Sequence, residues 1–151
     1  MGWWKKLVGR PGGSGRIDYY DEGLALMDEG KFHEALTSFR LALKEAPGDG
    51  VVLQQIAIAY TRIGMTEEAA KTYRHVLQKN PTAAGAHYGI AFLLVRAGEP
   101  DQAIPHLEAF LEVAPGDADE HVRHARLTLD RLKGRGEGEF ETPNTEQDEL
   151  F

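Results

Sequence analysis

The chain has no cysteine among its 151 residues. Disulfides, thiolate metal sites and a thiol nucleophile are excluded, so the fold has to rest on packing alone, as suits a reducing compartment. No run of about 18 apolar residues exists that would cross a bilayer. The first residues also lack the apolar stretch of a secretory signal. These absences predict a cytoplasmic protein, peripheral to the inner face of a membrane at most. Positive charge is in short supply too: 17 Lys and Arg stand against 24 Asp and Glu, a formal charge of −7. Such a body lacks the basic stripe that displaces counterions from phosphates, so nucleic acid is not an expected partner.

Motifs for chemistry are missing as well. The glycines between Gly9 and Gly15 lack the Gly-Lys-Ser/Thr ending of a phosphate loop, and no serine sits in a Gly-x-Ser-x-Gly turn. Of six histidines, His121 and His124 stand three apart and His87 could approach them, but no His-Glu-x-x-His spacing or acidic third ligand accompanies them. They read as surface or interface histidines, with no metal and no cofactor expected. Carboxylate pairs such as Glu67 and Glu68 suit helix starts and solvated faces. No enzyme is expected.

What the chain does have is a period. Pro47, Pro81 and Pro115 stand 34 residues apart, and Gly30, Gly64 and Gly98 and then Ala35, Ala69 and Ala103 keep the same interval. That is the length of one helix-turn-helix unit in a helical solenoid. Alignment on the prolines gives units 16–49, 50–83 and 84–117. In the first, Leu24, Met27, Phe32, Leu36, Phe39 and Leu43 recur at three- and four-residue steps, one apolar face on each of two helices. Ile56, Tyr60, Tyr73, Val76 and Leu77 repeat this in the second unit.

The glycines are expected to end each first helix in the left-handed conformation, and the prolines to stop each second helix. Thr66 is expected to N-cap its helix. Gly23, Ala57 and Ala91 share one position, where small residues let helices approach closely. Pro105 falls inside the last second helix and predicts a bend rather than a break. Residues 118–133 read as a capping helix, with Val122, Ala125, Leu129 and Leu132 covering the end of the core.

This pattern resembles the tetratricopeptide repeat. The second unit matches best, through Leu53, Ile56, Ala57, Tyr60, Gly64, Ala69, Tyr73 and Pro81. The first departs at Glu22 and the third at Leu94, Leu107 and Phe110. The resemblance implies an all-α, right-handed helical solenoid of three helix-turn-helix repeats plus the C-terminal capping helix. It also implies that outward positions of the first helices build a concave groove: Tyr20, Leu24 and Met27, then Gln54, Gln55, Ile58 and Arg62, then Tyr88, Phe92 and Arg96, with Arg123 and Arg126 added by the cap. Leu24, Ile58 and Phe92 would form an apolar floor, and Arg62 and Arg96 a cationic edge suited to carboxylates. Some relatives clamp the free carboxylate of chaperone tails. The matching positions here, Tyr20, Leu24, Gln55, Gly85 and Gly89, carry no positive charge, so that ligand is not expected.

The ends differ from the body. Residues 1–16 hold four bases and no acid, whereas residues 134–151 hold one base and six acids. Residues 1–15 place Trp3, Trp4, Lys5 and Lys6 ahead of a Gly- and Pro-rich linker. Two readings stay open there: an anchor for a membrane surface or a partner's groove, with weak peripheral membrane contact, or a short helix packed on the first repeat. The tail 134–151 is glycine-rich and acidic, and is expected to lack structure alone. Its Phe140, Leu150 and Phe151, set among acids, form a motif of the kind the groove would accept, either its own or a neighbour's. The chain therefore predicts an adaptor or scaffold that holds a peptide segment with apolar and acidic residues. The alternative is an assembly subunit that self-associates through its repeats or exchanged termini.

Overall fold

The computed structural model describes residues 18–138. Seven helices and, among the described residues, no strand follow one another: α1 (Tyr19–Asp28), α2 (Phe32–Glu45), α3 (Gly50–Ile63), α4 (Thr66–Lys79), α5 (Ala84–Arg96), α6 (Pro100–Val113) and α7 (Asp119–Gly138). Each helix packs on the next, and α3 also touches α5. That last contact is the stacking of first helices on one another that makes a solenoid.

Turn chemistry sets the boundaries. Gly64 closes α3 with a φ of 95°, and Gly30 and Gly98 take the same left-handed conformation after α1 and α5. The second helices end at Glu45, Lys79 and Val113, two residues before each proline of the 34-residue series. Asp18 and Asp49 cap α1 and α3, their carboxylates accepting hydrogen bonds from the backbone N–H groups of Tyr20 and Val51 at 3.0 and 2.9 Å.

Thr66 does not cap α4. The Met65 N–H donates back to the Tyr60 carbonyl at 2.9 Å, which tightens the turn after Gly64 so that the helix starts at Thr66 itself, with Met65 in the capping position. Pro105 lies within an uninterrupted α6. Near the start of a helix a missing N–H removes few bonds.

The core falls into two clusters that meet at α3. Val52, Ile56 and Ala59 face Tyr20, Leu36 and Phe39 on one side. Leu53 and Ala57 belong with Tyr73, Ile90, Leu107 and Phe110 on the other. Ala35, Ala69 and Ala103 are fully buried, as are Ala57 and Ala91. Gly23 begins that second series for a steric reason: a Cβ there would run into the Phe39 ring. The series continues past the third unit to Ala125, also fully buried, 34 residues beyond Ala91. The capping helix therefore sits in the register of a fourth first helix, with Leu129 and Leu132 buried beside Ala125 and with Asp119, Glu120, Arg123, Arg126 and Arg131 in solvent. The helix runs on through Gly138, past Lys133. No described helix is long and apolar enough to cross a membrane. Trp3, Trp4, Lys5 and Lys6, and Phe140, Leu150 and Phe151, lie outside the described residues.

Candidate peptide-binding groove

Helical spacing puts Gln54, Ile58, Thr61 and Arg62 on one face of α3, and Gly85, Tyr88, Gly89, Phe92 and Arg96 on one face of α5. These two faces, with Leu93 and with Tyr73 from α4 beneath, enclose a mostly apolar cleft of about 220 Å³. Ile58 and Phe92 come together as expected, and Arg62 and Arg96 stand exposed at its edge. The Arg62 guanidinium lies 5.7 Å from the centre of the Phe32 ring, a cation–π contact that holds it at the rim.

The floor is Tyr73, just 3% exposed. Burial pushes its phenol far above the usual tyrosine range, with a hydrogen bond to Thr61 opposing as the smaller effect. It therefore stays a neutral hydroxyl. Two glycines four residues apart on α5 leave the floor reachable. A side chain at Gly89 would occupy the space of the Tyr73 ring.

The C-terminal wall is aromatic. The Tyr88 ring lies 4.7 Å from Phe92, 5.0 Å from Phe110 and 5.0 Å from His121 between centroids. Phe92 stacks on His124 at 4.5 Å and 6°, and the Tyr88 hydroxyl lies 2.9 Å from His124 Nδ1. Burial, partly opposed by Glu120, lowers the His121 pKa, and burial also raises that of Tyr88. His121 and His124 thus brace the groove wall. No group of three metal-ligating side chains forms among the described residues.

His87 does not join them. It turns to α6, where its Nδ1 lies 3.0 Å from His106 Nδ1 and its Nε2–H donates to the Pro81 carbonyl at 2.7 Å. Burial, then the charge of His87, then that of Arg74 lower the His106 pKa.

Other expected groove residues lie elsewhere. Tyr20 is 2% exposed, its ring 5.9 Å from Phe39 inside the N-terminal core. Gln55 is 1% exposed because it shares the buried stripe of Val52, Ile56 and Ala59. Neither is available to a ligand. Leu24 and Met27 are half-buried against the N-terminal cluster, and Arg123 and Arg126 are exposed on α7; none of these four lines the cleft. The floor residue Tyr73 and the lining residues Thr61 and Leu93 are not included in the outward-position register. A pair of glycines inside one helix, each costing about 1 kcal/mol of helix propensity, was the signal available for them.

Residues 64–127 and 19–49, together more than half of the chain, match the tetratricopeptide repeat family. This is a tetratricopeptide repeat protein. A stretch of 66 residues is 38% identical to the photosystem I assembly protein Ycf3 of Synechococcus sp. (strain CC9311), over 42% of this chain and 38% of that one. The chain thus spans well under half the length of that relative. Among solved structures, the Yersinia enterocolitica type III secretion chaperone SycD in complex with a peptide of the translocator YopD superposes with a TM-score of 0.73 at 16% identity, over 78% of this repeat protein and 92% of that chain. The second repeat domain of human RPAP3, in complex with the HSP70 peptide SGPTIEEVD, gives 0.65 at 21% identity over 78% and 93%. At these identities the likeness is one of fold.

Proposed function

We propose that this repeat protein is an adaptor that captures an extended peptide segment in the groove between α3 and α5, taking an apolar side chain into the cleft and acidic neighbours onto Arg62 and Arg96. The observation that carries this reading is the open apolar cleft over Tyr73 with two exposed arginines at its rim. Apolar residues gathered on a solvated concave face suit ligand capture. The SycD and RPAP3 neighbours, each solved with a peptide bound, support the same use of this fold. Glycine at positions 85 and 89 favours an apolar anchor over a clamped terminal carboxylate. Binding rather than catalysis is the function assigned to this surface.

The test is a backbone amide map by NMR. An acidic peptide with a central leucine or phenylalanine, added to the full chain carrying Leu150→Asp and Phe151→Asp so that its own tail does not compete, shifts Ile58, Gly89 and Phe92 and leaves α2 beyond Phe32 unmoved. Shifts confined to other surfaces, or none at millimolar peptide, would sink the proposal.

A further inference from the structure

We infer that the groove's own occupant is the tail of the same chain, with Leu150 and Phe151 in the cleft and Asp148 and Glu149 on Arg62 and Arg96. This rests on the groove reading above and names its ligand. The cleft volume of about 220 Å³ exceeds the roughly 150 Å³ that holds a benzene ring, so a phenylalanine or leucine side chain fits within it. Ile58 and Phe92 give it apolar walls.

The path back is short. His124 of α7 stacks on Phe92 of the cleft, and Gly138 lies about 21 Å further along the helix at 1.5 Å per residue. Residues 139–151 reach up to about 43 Å when extended. Extended, the tail is about twice as long as the stretch of α7 from Gly138 back to His124, which leaves about 20 Å to cross the cleft. Along that route α7 exposes, among its described side chains, Arg126, Arg131 and Lys133 against one acid, Asp130, while residues 139–151 hold five acids and no base.

Charge also selects this end of the chain over the other. The basic residues 1–16, with four bases and no acid, carry the same sign as the arginine edge and are repelled by it. Tethering then raises the local concentration of the tail to the order of millimolar, enough to fill the groove with a weak ligand. An external peptide has to displace it.

The absence of cysteine makes the test direct. Thr145→Cys supplies one thiol for a nitroxide label on the full chain, and amide relaxation reads its proximity. The expected result is broadening across Gly85–Arg96 that is lost in the Leu150→Asp, Phe151→Asp variant and reduced by Arg62→Glu with Arg96→Glu. Equal broadening of an isotope-labelled, nitroxide-free chain mixed with a nitroxide-carrying, unlabelled one would assign the tail to a second copy and overturn the proposal. No broadening on α5 would overturn it too. In that case, shifts at Ile58 and Gly89 caused by an added acidic and apolar peptide would leave the groove reading standing, and their absence would remove both.

Discussion

Tyr73 fills the space that a side chain on Gly89 would need. A Cβ built on Gly89 runs into the ring carbon Cζ and the hydroxyl of Tyr73, so α5 crosses α4 at the distance of bare backbone. The cleft floor and the helix crossing are the same contact.

Gly89→Ala should overpack this contact and destabilise the fold by about 1–3 kcal/mol. Urea unfolding measures it. In Tyr73→Leu, where the ring is gone, adding Gly89→Ala should cost much less. A double-mutant cycle showing simple additivity would contradict the contact.

Much of this was legible in the chain because the 34-residue interval fixes the turn glycines, the stop prolines and the buried alanines together. Gly64, Pro81 and Ala69 each have one physical reason for their place. The groove was legible in part. Ile58, Arg62, Phe92 and Arg96 follow from the register, but Tyr20 and Gln55 needed the helix rotation: one residue along a turn moves a side chain by 100° and carries it from the concave face to the core. Tyr73 looked like ordinary core because nothing in its own segment says that α5 above it lacks side chains. His121 and His124 face Tyr88 and Phe92 through the stacking of α7 on the third unit, a tertiary relationship that local spacing does not carry.

Tyr88 anchors the aromatic wall through its ring more than its hydroxyl. Tyr88→Phe removes the hydrogen bond to His124 on an exposed edge and should cost about 0.5–1 kcal/mol. Tyr88→Ala also removes the packing on Phe92, Phe110 and His121, and should cost about 3–5 kcal/mol at most, less for the part of the ring that stays in solvent. Thermal unfolding of the two variants should therefore differ clearly. Equal losses would mean that the hydroxyl, not the ring, holds the wall.

His106 and His121 both titrate below the usual histidine value in the folded chain, chiefly through burial. The unfolded chain takes up protons near pH 6.5, where these two folded side chains do not yet. Stability is therefore full above that pH and falls as pH drops through it toward the depressed folded values. The urea midpoint should decrease from pH 7.5 to pH 5.5, and the double variant His106→Gln, His121→Gln should show a smaller decrease. An unchanged slope would assign the pH response to other groups.

The most direct test of the central claim is fluorescence anisotropy of a labelled peptide spanning residues 134–151, titrated with the full chain carrying Leu150→Asp and Phe151→Asp. Saturable binding that weakens with added salt and disappears when Arg62 and Arg96 are both changed to alanine is the predicted result. No binding up to millimolar protein, or binding indifferent to both arginines, would contradict a groove built to hold an acidic, apolar segment.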